Sequence, residues 1–166
     1  MKTNKDTEFF FEIPFNSAIA NAAWEVIEDG GGWATHKGFT VKQLTHKALI
    51  TDAVLNALSK KYALFAVIYK MNPNAFCDWH TDDDRNCALN MLLSDSPSHT
   101  VFSHSREGAT GYVTELHYKP NTLFLFNANK QHMVLNLEKP RYLLSISFLD
   151  FVRYEDVLAD MTRGAL

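Results

Sequence analysis

Residues 122–148 read TLFLFNANKQHMVLNLEKPRYLLSISF, and this stretch decides the fold. It divides into strands at 122–127, at 132–137 and from 141 to 151, parted by Asn127-Ala128-Asn129-Lys130-Gln131 and by Glu138-Lys139-Pro140. Short β-rich runs between tight polar or proline turns are the mark of antiparallel sheet. In the last strand, alternation places Arg141, Leu143, Ser145 and Ser147 on one face and Tyr142, Leu144, Ile146 and Phe148 on the other. An arginine and two serines on one face of an otherwise apolar strand imply a polar pocket. Arginine holds a carboxylate through two parallel hydrogen bonds, and the hydroxyls of Ser145 and Ser147 can add to them.

The same rhythm runs upstream, with strands expected at 62–69, 86–93, 100–105 and 111–118. Asn72-Pro73-Asn74, Ser94-Asp95-Ser96-Pro97, Arg106-Glu107-Gly108 and Lys119-Pro120-Asn121 break the chain between them. Seven or eight short strands at this spacing predict a sandwich or barrel. Residues 9–15 read as a first strand. A helix is expected at 17–28, capped by Asn16 or Ser17, with Gly30 near its C-cap. A second is expected from a Thr51 cap to residue 60, turning Val54, Leu55 and Leu58 to the core. Residues 153–166 read as a C-terminal helix or tail. The whole, 1–166, is expected to be one mainly β domain, with helices in 16–60 flanking a barrel at about 62–151.

Composition supports that reading. The chain has 166 residues, 46% hydrophobic and 13% aromatic, which suits one packed domain and excludes global disorder. A net charge of −3 offers no cationic footprint for nucleic acid or an anionic membrane, so neither is expected as a partner. Cys77 and Cys87 lack metal-knuckle spacing and read as reduced thiols of a cytoplasmic protein. Phe9-Phe10-Phe11 is too short for a signal peptide core, and no apolar run approaches the roughly 18 residues of a membrane span.

The chemistry centres on Asp78-Trp79-His80-Thr81-Asp82-Asp83-Asp84-Arg85. In an extended chain, His80 and Asp82 project from one face and can converge on a cation. The stretch lacks the glycine and downstream glutamate of a calcium loop. Taken singly, this His-x-Asp suits an ordinary polar loop, His132 a hairpin end and Arg141 an exposed turn. Together, His80, Asp82 and His132 make a two-histidine, one-carboxylate set of the kind that holds Fe(II) with positions left open.

The order His-x-Asp, about fifty residues, His, then nine residues to Arg, all on strands, resembles the Fe(II)/2-oxoglutarate-dependent dioxygenases. The prolyl 4-hydroxylase-like branch is the most similar, and the resemblance covers about 62–151. It implies a double-stranded β-helix, a jelly-roll barrel, with His80, Asp82 and His132 as iron ligands. It implies Arg141 on the distal carboxylate of 2-oxoglutarate, with O2 as co-substrate, and Tyr69 and Asn90 lining the co-substrate pocket. Arg85 is expected to order the metal loop by pairing with Asp83 or Asp84, and Phe76 and Trp79 to form apolar wall. The implied activity is hydroxylation of a small molecule, free amino acid or peptidyl residue, with release of succinate and CO2.

The chain departs from relatives in several places. A tyrosine that often helps hold the distal carboxylate falls at Leu92, and Leu143 stands where plant-type enzymes have serine. Ser98-His99-Thr100-Val101-Phe102 lacks a paired glycine, which counts against a peptidyl-proline substrate. Ser147 stands where nucleic-acid demethylases carry a second arginine. Two other classes fit the same residues: a cupin-like Zn or Mn enzyme that does not use 2-oxoglutarate, and a metal-free jelly-roll binding module.

Overall fold

Why the strands pair as they do follows from which faces they bury. The structure, a computed structural model, describes residues 5–95, 97–105 and 111–163. A 3-10 turn (Lys5–Glu8) leads into β1 (Phe10–Asn16), α1 (Ile19–Glu28), the hairpin of β2 (Ala34–His36) and β3 (Phe39–Leu44), and the short helices α2 (His46–Leu49) and α3 (Ala53–Ser59). Then come β4 (Leu64–Met71), β5 (Ala75–His80), β6 (Cys87–Leu92), β7 (His99–Ser103), β8 (Val113–Leu116), β9 (Thr122–Asn127), β10 (His132–Asn136) and β11 (Arg141–Phe148), followed by α4 (Tyr154–Thr162).

The strands form two antiparallel sheets, ordered β1-β9-β6-β11-β4-β3-β2 and β5-β10-β7-β8. From β4 onward the chain gives four strands to each sheet, which is the double-stranded β-helix. On β11, Leu144, Ile146 and Phe148 join an apolar cluster with Ile19 and Ala23 of α1, Leu55 and Leu58 of α3 and Val157 of α4. Its other face, with Arg141, Leu143 and Ser145, turns inward. All six residues of β9 are buried because both faces of the large sheet are covered, hence its unbroken apolar run. A second cluster, including Phe9, Phe102, Phe124 and Phe126, joins β1 and β9 to β7.

Several expectations are corrected. The first sixty residues do more than flank the barrel: β1 extends the large sheet at β9, and β3 extends it at β4 with Val41 opposite Tyr69. The β2–β3 turn is Lys37-Gly38, both left-handed (φ 47° and 81°), as a two-residue hairpin requires. The usual Asn or Asp at its first position is missing, so the hairpin is hard to see in the sequence. α3 is capped by Asp52, whose carboxylate accepts from Val54 and Leu55 N–H, while the Thr51 hydroxyl donates back to the Ala48 carbonyl. α1 has Ala18 at its N-cap position without a side-chain bond. Ser17 accepts from Ile19 N–H and donates to Asp52 at 2.6 Å, tying the two helix starts together.

β5 is a strand that propensity does not reveal, because Asp78 and His80 interrupt a short stretch with no β-branched residue. Phe76 is 66% exposed on it and is not barrel wall. β11 ends at Phe148, where Asp150 and Phe151 turn left-handed. The break at Arg106-Glu107-Gly108, Ser96 and residues 164–166 lie outside the described residues.

Asp52 is 5% exposed and accepts three hydrogen bonds. Asp52→Ala is expected to destabilise the fold by about 1–2 kcal/mol, seen as a lower urea midpoint at unchanged slope.

Candidate metal centre

The register of β10 against β5 sets His132 opposite His80, with ring centroids 4.2 Å apart. Asp82, two residues past His80, is anchored by its backbone N–H to the Ala128 carbonyl in the β9–β10 turn. Oδ1 of Asp82 lies 3.6 Å from Nε2 of His80 and 3.7 Å from Nε2 of His132. These separations are too long for hydrogen bonds and suit three ligands around one ion.

Backbone carbonyls orient both rings. Nδ1 of His80 faces the Asp78 carbonyl at 2.6 Å, and Nδ1 of His132 faces the Lys130 carbonyl at 2.8 Å. When the rings are neutral, each Nδ1 carries the proton and donates it, which leaves the Nε2 lone pair aimed at the shared point. The donor set fits a divalent ion such as Fe(II).

Electrostatics separate the two histidines. Hydrogen bonding with Cys77, joined by the Asp78 carbonyl and the Asp82 carboxylate, outweighs burial and raises His80 to about 9. Burial lowers His132 to about 4. Below pH about 9, metal uptake displaces a proton from His80 and weakens as pH falls.

The triad opens into a cavity of about 400 Å³ between the sheets. Arg141 lies in it, only 4% exposed. Its Nε donates to Ser98 Oγ, and its Nη2 is 3.5 Å from Thr100 Oγ1. Among the described residues no carboxylate pairs with it. The buried Tyr118 hydroxyl faces Asn90, Thr100 and Arg141 without completing a hydrogen bond, and Asn90 Oδ1 is also unpartnered. A buried cation beside unused polar atoms fits an anionic ligand.

Tyr69 and Asn90 line the cavity. Tyr69 packs edge-on against Phe39, and burial raises its hydroxyl pKa, keeping it a neutral donor. Ser145 and Ser147 do not line it. They share a face with Arg141 but sit four and six residues along the strand, about 13 and 20 Å away. Both accept from Arg85 Nη1 at 2.9 Å. Arg85 does not pair with Asp83 or Asp84: its Nε donates to Asp82 at 2.6 Å, and those two outer carboxylates take Lys37 of the β2–β3 turn.

Sequence reasoning missed Tyr118, Thr100 and Ser98. Thr100 and Phe102 alternate inward on β7, a signal that period-two patterning carries. Tyr118 lies two residues past the end of β8, in a segment outside the strands, and brings its hydroxyl into the cavity.

No family model and no curated protein matches this chain by sequence. Its fold is similar to that of a prolyl-4-hydroxylase from Pseudomonas putida, at 17% identity over 79% of this chain and 85% of that one, with a TM-score of 0.58. It is similar to an oxidoreductase of the 2OG-Fe(II) oxygenase family from Burkholderia pseudomallei, at 13% identity over 86% and 84%, TM-score 0.60. It is also similar to a prolyl hydroxylase from Trichoplax adhaerens, solved with a hypoxia inducible factor oxygen degradation domain peptide fragment, at 12% identity over 85% and 82%, TM-score 0.62. At this coverage the structural likeness extends beyond 62–151. The architecture is the double-stranded β-helix seen in these 2-oxoglutarate/Fe(II) oxygenases.

Two outcomes are expected of the centre. His132→Ala should weaken Fe(II) binding by more than about a hundredfold in an anaerobic titration, since it removes one of the three donor groups that converge here. Cys77 lines the cavity and Cys87 is fully buried, its thiol pushed up to about 12 by burial. Iodoacetamide at pH 8 should therefore label Cys77 first, by peptide mass, with Cys87 modified only on unfolding.

Proposed function

We propose that this protein is an Fe(II)- and 2-oxoglutarate-dependent oxygenase. It hydroxylates a small molecule, amino acid or peptidyl residue and releases succinate and CO2. The observation that carries this reading is Arg141, a buried guanidinium without a carboxylate partner among the described residues, sharing a cavity with His80, Asp82 and His132. A buried cation left unpaired is costly, and a dicarboxylate reaching from the ion would compensate it.

The residues divide the work. His80, Asp82 and His132 would hold the ion. Arg141 would bind the far carboxylate of 2-oxoglutarate, aided by the Tyr118 hydroxyl, Thr100 and Asn90, and Tyr69 would line the co-substrate pocket. With both groups bound, the centre supplies oxygen activation coupled to loss of CO2 from 2-oxoglutarate. Met71, Val134 and Leu143 keep the cavity wall apolar and limit water.

The same reading covers partner and place. The Trichoplax enzyme was solved with a peptide fragment, which supports a peptidyl residue as well as a small molecule as substrate. A net charge of −3 offers no cationic footprint, which supports excluding nucleic acid as a partner. No helix among the described residues is long and apolar enough to cross a membrane. Two free thiols support a cytoplasmic setting.

Anaerobic addition of Fe(II) and 2-oxoglutarate is expected to produce a metal-to-ligand charge-transfer band, and admitting oxygen should form succinate slowly without a prime substrate. Metal uptake without the band would point instead to an enzyme that does not use 2-oxoglutarate. Arg141→Ala should raise the 2-oxoglutarate concentration for half-maximal band by about tenfold or more while leaving Fe(II) affinity in place.

A further inference from the structure

We propose that Arg85 fixes which oxygen of Asp82 meets the ion, and that Ser145 and Ser147 hold Arg85 in place to do so. The inference rests on the reading of His80, Asp82 and His132 as ligands. Asp82 has two chemically equal oxygens, and the structure makes them unequal. Oδ2 accepts from Arg85 Nε at 2.6 Å, whereas Oδ1 is the oxygen near both histidine Nε2 atoms. The Arg85 side chain is 15% exposed, and its Nη1 donates to both serine hydroxyls. Those serines stand at i and i+2 on the inward face of β11, sixty and sixty-two residues away.

A carboxylate free to turn can close on an ion with both oxygens and fill a position needed by a bound co-substrate. With Oδ2 engaged by the guanidinium, Asp82 binds through Oδ1 alone. The planar guanidinium meets one carboxylate and two hydroxyls with separate N–H groups from one fixed fork, a geometry that an ammonium lacks. The two neighbouring carboxylates are kept out of this arrangement, because Lys37 holds Asp83 at 2.6 Å and Asp84 at 3.0 Å. Arg85 touches Asp82 and not the reacting groups in this arrangement, so it is a positioning residue.

The test uses Co(II) alone, whose visible absorption reports coordination number and whose titration gives a Kd. Compared with the parent are Arg85→Gln, Arg85→Lys and the double variant Ser145→Ala/Ser147→Ala, each with its metal-free melting curve. Arg85→Gln is expected to raise the Kd about 10- to 100-fold and to change the spectrum, the range found when partners of metal ligands are removed. Arg85→Lys should keep the charge but not restore the spectrum. The serine pair, which leaves Arg85 present, should shift the spectrum in the same direction with a smaller loss, so the test survives if Arg85→Gln fails to fold. The parent spectrum and Kd in Arg85→Gln, or their full rescue by lysine, or no spectral change in the serine pair, would overturn the proposal. A parent that takes up no Co(II) overturns the metal-site reading and this inference with it.

Discussion

The antiparallel pairing of β10 with β5 is the contact on which the centre depends. It sets His132 opposite His80, residues fifty-two apart in the chain, and fixes their rings at 4.2 Å. A slip of one residue would turn His132 to the outside and replace it with an apolar neighbour. That register is held by burial. Val134 shares the inward face of β10 with His132, and Phe102, opposite His132 on β7, is fully buried. The polar centre is thus aligned by the apolar residues around it.

β11 carries the second constraint. Its inward face delivers different chemistry at its two ends. Arg141 stands at one end with Ser98, Thr100 and Tyr118, and Ser145 and Ser147 stand toward the other, holding Arg85 against Asp82. One strand therefore organises both the partners of Arg141 and the serines that hold Arg85 against Asp82. Its outward face, Leu144, Ile146 and Phe148, secures it against the helices. Fixing that face in the core also fixes the position of both polar ends.

The two buried arginines are treated differently. Arg85 is neutralised by Asp82, a paired arrangement that the fold can keep without a ligand. Arg141 has hydroxyl partners and no carboxylate among the described residues, and burial lowers its pKa. An arginine kept in that state is a cost to the folded protein that binding an anion relieves. The contrast separates an ion-paired arginine from one without a carboxylate partner within a single cavity.

The three side chains that meet were legible through their spacing and the family resemblance it carries; the sequence alone also determined the strands from residue 62 apart from β5, and the inward face of β11. These are local properties: turn residues and period-two alternation need no knowledge of distant partners. Tertiary structure decided the rest. It sent Asp82 rather than Asp83 or Asp84 to Arg85, gave Ser145 and Ser147 to Arg85 rather than Arg141, brought Tyr118 beside Arg141, and added β1 and β3 to the large sheet. Those outcomes turn on distance along a strand and on pairing between residues far apart in the chain. Alternation names the face of a side chain, but only the assembled sheets set how far along that face its partner lies.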